Sequence, residues 1–323
     1  MEGNKKLDVI ILAGDHKKNI KLYSDNKGFL IVENIPIIIH ILNSLINVKE
    51  ISNIIIVGPK ERLDNTLNKH RHKLNKTDKS IITVEQKDNI LQNAWEGFFQ
   101  SIPEYANNSL SMEQIKNKYM DKPVLFLSVD VPMVMPEEIS YFIAKCDLNK
   151  YDYFTGITPR EVMSLYYPTE TQPGIIMAYL HFKENLYRVS NIHLVKPFRI
   201  KDIEYINLMY DIRYQKKIIN VLLFIINILD APNTLELCIY YINMQMALFL
   251  SHIKLKSARD FFRKFVILNN VEKAISLLIG AEFKAIEIPF GGLALDIDNE
   301  KDFNTLVFMF KQWKEKQRTH FKT

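Results

Sequence analysis

The chain has 323 residues, with 42 lysines and arginines against 37 acids and an apolar fraction of 47%. That length and apolar content suffice for a large buried core, and 24% charged residues with a mean hydropathy of −0.08 exclude a disordered, collagen-like or coiled-coil chain. A net charge of +5 spread over this length gives no ground for nucleic acid as a partner, and the two cysteines, Cys146 and Cys238, lie too far apart for a disulfide framework or a zinc cluster.

At the N-terminus, Lys5 and Lys6 precede an apolar stretch broken by Asp8, with no small-residue cleavage site. This pattern predicts no signal peptide and a reducing, cytoplasmic setting. Residues 7–14, LDVIILAG, form a Val/Ile-rich run ending in glycine, which predicts a buried parallel strand feeding a loop. A polar loop over 15–28 follows, and then FLIVENIPIIIHILNSLI, in which Pro36 opens a helix at its first position. A second strand is expected over Asn53–Val57. Residues 60–79, with seven basic and three acidic residues, read as a solvated helix and loop. A third strand over Ser80–Val84 leads to a helix in EQKDNILQNAWEGFFQSI and a polar connector over Tyr105–Asp121.

PVLFLSVDVPMV, residues 123–134, is the next buried strand and ends in an acidic turn. Strand and helix in alternation predict an α/β fold with a mostly parallel sheet, helices on both faces and ligands at the carboxyl ends of the strands. Past residue 150, YDYFTGITP, GIIMAYLHF and NIHLVKP read as antiparallel strands covering one side of that edge. The segment from Ile218 to Leu278 is helical and unusually apolar, and LALDIDN returns as a closing strand before a C-terminal helix. The division expected is an α/β domain over 1–200, a helical insertion over 201–280 and a return to the α/β domain over 281–323. The run 218–229, IINVLLFIINIL, is shorter than the ~20 residues that span a bilayer. Nine basic and four acidic residues between Arg213 and Lys273, among many Leu, Ile and Phe, fit an ordinary helical subdomain, a peripheral membrane contact or an oligomer interface.

Three features carry chemistry. Gly14, at the end of the first strand, lets backbone amides approach phosphate oxygens, and Lys27 at the far end of the loop supplies a point charge. Taken alone, Lys27 reads as well as a solvated loop lysine. In SVDVP the strand delivers Asp130 to the carboxyl edge, where it can hold a divalent cation or cap the helix of PEEISYFI. In LALDIDNEKDF, Asp296 and Asp298 end a second run, and one of them with Asp130 can share a Mg²⁺ or Mn²⁺ beside substrate phosphates. Neither G-x-G-x-x-G, a Walker loop nor G-x-S-x-G is present. His70 and His72 read as surface residues, and Trp95, Phe98 and Phe99 as core.

The order of these motifs resembles the MobA-like nucleotidyltransferases, a GT-A-type α/β group that includes sugar-1-phosphate and isoprenoid cytidylyl- and guanylyltransferases. The likeness rests on LAGD with Gly14, on NKGFLIVENIPIIIHIL with Lys27 and Pro36, on VDVP with Asp130, and on DIDNEKDF with Asp298 and Asp302. It extends over almost the whole chain, and ITPREVMSLYYP with VSNIHLVKP resembles the central part of a bacterial branch of the group. The resemblance implies Mg²⁺-dependent transfer of NMP from a nucleoside triphosphate to a phosphorylated small-molecule acceptor, with Lys27 and Asp130 catalytic. It also implies that Leu12, Ala13, Gly14 and Asn93 (with Gly97) contact the nucleotide, that Asp130 and Asp298, or Asp296, bind metal, and that Arg160, Glu161 and Asn191 face the acceptor. Asp15 replaces the second glycine of the family's first motif, Val129 the glycine before the turn acid, and DNEKD the usual closing turn. His16, Lys17 or Lys18 would stand for the family's loop cation. These departures keep open a nucleotide-binding protein of this fold without turnover, and the 213–273 segment keeps open a transferase acting on a membrane-associated acceptor.

Overall fold

A computed structural model describes residues 6–14, 22–23, 25–206 and 235–320. The first apolar run is strand β1 (Leu7–Leu12), and it pairs in parallel with β4 (Ile51–Gly58) on one side and β6 (Val124–Ser128) on the other. Strand β5 (Ile81–Glu85) extends the sheet beyond β4. On the opposite flank come β9 (Leu186–Val195), β7 (Tyr153–Pro159) and β10 (Phe283–Glu287), giving the order β10-β7-β9-β6-β1-β4-β5, with the two-residue β8 (Leu180–His181) paired to β9. The residues Val9, Ile10, Ile11, Ile54, Ile55 and Ile56 are wholly buried, because helices cover both faces of the central strands. The fold is therefore the mixed α/β type with a mostly parallel sheet.

Several elements differ from the sequence expectation. Pro36 does not start a helix. It closes a hairpin of β2 (Ile31–Val32) and β3 (Ile35–Pro36), turned by Glu33 and Asn34 at φ 48° and 64°, and stands just outside α1 (Ile37–Ile46). After α2 (Lys60–Lys69) and α3 (Ile90–Gln100), the expected connector holds two short helices, α4 (Pro103–Ala106) and α5 (Met112–Lys118), the second started by a Ser111/Gln114 capping box. β7 is not antiparallel to the main sheet. It pairs against β9 and in parallel with β10, so it runs with β6 and β1, and β9 is the long strand that reverses direction. Of GIIMAYLHF, β8 alone is a strand.

The largest correction concerns LALDIDN, which is not a strand: residues 292–294 form a short 3-10 turn and an irregular segment runs to Asp298. The strand lies upstream, in FKAIE. The reason is a side chain. Glu138, in α6 (Pro136–Lys145), takes the amides of Gly292 and Leu293 at 2.8 and 2.9 Å, so these groups bond to a carboxylate and not to a neighbouring strand. After β7, a single turn α7 (Arg160–Met163) leads away from the sheet edge. Helices α8 (Leu235–His252), α9 (Lys256–Arg263) and α10 (Leu268–Ile279) precede β10, and α11 (Glu300–His320) ends the described chain. The expected helix start at Ile218 lies outside the described residues, and no described helix is long and apolar enough to cross a membrane.

Candidate active site

The site begins with Asn26. Its side-chain amide donates to the carbonyl of Ala13 at 3.0 Å, and its Oδ1 accepts the amide of Gly28 at 2.8 Å. One side chain thus ties the turn carrying Lys27 to the end of β1. Asp25 adds a second tether: both its oxygens accept from the Arg62 guanidinium, at 2.6 and 2.7 Å, and that guanidinium lies 3.9 Å from the centre of the Phe29 ring. Of the strand-end residues, Leu12, Ala13 and Gly14 lie at this junction, whereas positions 15–18, with Asp15, His16, Lys17 and Lys18, lie outside the described residues.

Held this way, Lys27 places its Nζ 2.9 Å from Oδ2 of Asp130, and the two side chains are only 13% and 12% exposed. Asp130 is oriented from its other oxygen by Ser128 Oγ at 2.6 Å. Burial alone would lower the pKa of Lys27. The negative charge of Asp130, reinforced by Asp298 and Asp296, outweighs that and raises it, so the ammonium stays charged. The loop before Lys27 is joined to the chain just after Asp298 by Tyr23, whose amide donates to Glu300 at 3.2 Å and whose hydroxyl donates to Asn304 at 2.9 Å.

The other wall is built around Arg188 on β9, a residue that the sequence reading did not single out. Its Nη2 bonds to Asp296 and lies 3.8 Å from Asp298, while its Nε donates to the carbonyl of Ala294 at 2.7 Å. The Arg188 pKa is raised despite burial, chiefly by Asp296 and then Asp298. Asp298 has a half-exposed side chain. Its pKa is also raised, first by burial and then by the negative charges of Asp296 and Asp130, with Lys27 and Arg188 opposing. Asp302 in α11 caps itself on Asn299 through reciprocal bonds of 2.7 and 2.9 Å.

The remaining predicted residues fall nearby in different roles. Asn93 is buried, and its Oδ1 accepts the amide of Lys87 at 2.6 Å, which orders the loop before α3. Gly97 lets α3 settle on the sheet: a Cβ there would stand 2.6 Å from Ile10. Asn191 is buried and donates to the carbonyl of Leu293 at 3.4 Å. Arg160 and Glu161 are exposed at the end of β7, where Glu161 accepts from Asn185 at 3.1 Å. Arg160 also bears on buried His181, whose pKa is held down to about 4 by burial and by the charges of Arg263, Arg259, Arg160 and His252. Arg263 reaches this corner by donating to the carbonyl of Phe182 at 2.8 Å.

Among the described residues no three His, Cys, Asp or Glu side chains form a closed metal site. The acids of the cleft nonetheless suit a hard divalent cation. They offer oxygen donors only, and Asp298, half-exposed and 3.8 Å from Arg188, has a carboxylate open to a further partner. Oxygen donors of this kind would leave water and substrate phosphate to complete the coordination of such an ion.

No family model matches the chain, and no curated protein matches it. Among solved structures it is similar to a hypothetical transferase from Thermus thermophilus, with a TM-score of 0.52 and 16% identity over 92% of this chain and 99% of that one. It is also similar to 4-diphosphocytidyl-2C-methyl-D-erythritol synthase from Anaerococcus prevotii, with a TM-score of 0.46 and 12% identity over 96% of this chain and 97% of that one. A third similar structure is CMP:2-keto-3-deoxy-manno-octonic acid synthetase complexed with CTP, with a TM-score of 0.44 and 11% identity over 95% and 99%. The first of these likenesses, at this identity, establishes the fold.

Proposed function

We propose that this protein transfers a nucleotidyl group from a nucleoside triphosphate to a phosphorylated small-molecule acceptor, in the manner of the MobA-like group. The observation that carries the reading is the meeting of Lys27 and Asp130 with Arg188, Asp296 and Asp298 at the carboxyl edge of the sheet. Open α/β sheets bind their ligands at this edge.

In this reaction a phosphate oxygen of the acceptor attacks the α-phosphorus. The bond from that phosphorus to the bridging oxygen breaks, and pyrophosphate leaves with the electron pair. Such chemistry asks the protein for position and charge more than for covalent participation. Leu12, Ala13 and Gly14 bring the end of β1 to the triphosphate, with the Ala13 amide itself held by the carbonyl of Val57. Lys27, kept charged by three acids, offsets the negative charge that gathers on the leaving pyrophosphate. Ser128 fixes the rotamer of Asp130, and Arg188 fixes Asp296. Asp130 with Asp298, or Asp296, would hold Mg²⁺ or Mn²⁺, which when bound neutralises charge on the phosphate oxygens. Arg160 and Glu161, exposed at the end of β7, are suited to the acceptor, while Asn191 and Asn93 shape loops from within.

The Val129 departure is accommodated by its neighbours. Its side chain fills the space beside Gly28, where a Cβ would come within 2.7 Å of Val129 Cγ2, so the larger residue is matched by a smaller neighbour. The experiment is pyrophosphate release from each of four nucleoside triphosphates with Mg²⁺ and a panel of sugar and alditol phosphates. Release dependent on both substrates is expected, and nucleotide binding without release from any pair would reduce the protein to a nucleotide binder.

A further inference from the structure

Helix α8 buries one side, through Leu237, Cys238, Ala247 and Leu250, against the rest of the molecule. Its opposite side repeats Ile239, Ile242, Met246, Phe249 and, just past the helix, Ile253, at alternating steps of three and four residues. That spacing is one helical face. These residues are 37% to 58% exposed. Within α8 the acidic and basic side chains are limited to Glu236 and His252 at its two ends. A soluble helix normally sets charges on its outer face, so this one is built to be covered.

The end of the face has a fixed shape. Lys254, at φ 61°, closes the helix, and the amide of Leu255 returns to the carbonyl of Leu250 at 3.0 Å. This turn sets Ile253 and Leu255, 49% and 53% exposed, in alternation with Lys254 and Lys256. Neither lysine has an ion-pair partner among the described residues, because the nearby acid, Asp260, is taken by Arg259 at 2.7 Å and by Arg263 at 3.5 Å. Exposed Phe261, Phe265 and Lys264 continue the same composition through α9 and beyond it.

Charge decides among the possible covers. A second copy of α8 laid antiparallel would bring a single carboxylate, Glu236, against His252, Lys254 and Lys256, so it leaves a basic surplus. Residues 207–234 of the chain carry Arg213, Lys216 and Lys217 against Asp211 and Asp230, so they too bring no acidic surplus. An anionic lipid surface answers both halves of the pattern. We propose that the outer face of α8 and its closing turn form a docking surface for an anionic bilayer, with Phe249, Ile253 and Leu255 among the acyl chains and Lys254 and Lys256 on the headgroup phosphates. The proposal is independent of nucleotidyl transfer.

The test is flotation of the full-length protein with vesicles of phosphatidylglycerol and phosphatidylcholine, against vesicles of phosphatidylcholine alone, at low and high salt. Binding to the anionic vesicles, weakened by salt, is expected. Neutralising either lysine, as Lys254→Gln or Lys256→Gln, should weaken binding about fivefold, and Ile253→Asp or Leu255→Asp should abolish it. These positions are exposed, so the variants should keep the wild-type melting temperature. Failure of the wild-type protein to float overturns the proposal. So does equal binding by all variants, or a dimer in sedimentation velocity that Ile242→Asp dissociates while vesicles leave it intact. No readout depends on turnover, so this outcome and that of the pyrophosphate assay are separable.

Discussion

The cleft has two cation–carboxylate walls of similar burial and different construction. Lys27 and Asp130 have side chains 13% and 12% exposed, and Arg188 and Asp296 have 13% and 7%. The first wall hangs from the ends of neighbouring parallel strands, β1 and β6, with Asn26 and Ser128 as local struts. The second hangs from an irregular segment, and the buried carboxylate of Glu138 supplies the bonds that a strand partner would otherwise give. Strand ends place a side chain through the ladder itself. A loop at the same edge needs a buried polar group to place it.

Breaking the first wall should cost the most. Lys27→Ala or Asp130→Ala removes a preorganised charge, and under the proposed reaction kcat should fall about 10²- to 10³-fold, read as pyrophosphate release per folded protein at a temperature well below the melting point, which the unpaired buried partner lowers. Near wild-type turnover in either variant would remove that residue from the chemistry.

Cutting the support of the second wall should show first in stability. Glu138→Ala strands the buried amides of Gly292 and Leu293, and each orphaned group costs about 1–3 kcal/mol. Urea unfolding should report that loss, while Ser128→Ala, which removes a single strut from the first wall, should report much less. Equal midpoints for the two variants would mean that Glu138 does not carry the segment.

Gly28 and Val129 sharpen the first wall further. A Cβ at position 28 would press on Val129 at 2.7 Å, so Gly28→Ala should destabilise by about 1–3 kcal/mol. In a double-mutant cycle with Val129→Ala the two costs should sum to more than the double variant shows. Strict additivity would show that the positions are not matched.

The smallest effect concerns the corner beyond β7. His181 has a folded pKa of about 4 against an ordinary 6.5, so the unfolded chain binds its proton first as pH falls. Stability from this group is present above the ordinary value and is lost between about pH 6.5 and pH 4. The melting temperature of His181→Gln should fall less steeply across that window than that of the wild type. Parallel curves would mean that His181 is not held neutral.

The contrast between the walls also explains what could be read from the residues alone. Val/Ile runs ending in Gly14 and in Asp130 are parallel strands by composition, whereas Lys27, in the loop after the first, stands out from a solvated lysine only through the order of the motifs. LALDIDN is as apolar as a strand, yet Glu138, over 150 residues earlier in the chain, decides its conformation through two backbone bonds. No local period reports such a pairing. Arg188 was hidden for a related reason: on a strand it reads as an exposed position, and its partners Ala294 and Asp296 come from an irregular segment more than 100 residues later. Its signal was the lone cation in LYRVSNIHLV, a run otherwise buried enough to question a free arginine there.

The most direct test of the shared cleft is a crystal soaked with a nucleoside triphosphate and Mn²⁺, read by anomalous scattering. The account predicts a triphosphate beside Gly14 and Lys27 and a Mn²⁺ peak within coordination distance of Asp130 and of Asp298 or Asp296. A bound nucleotide with its metal away from these carboxylates would contradict it.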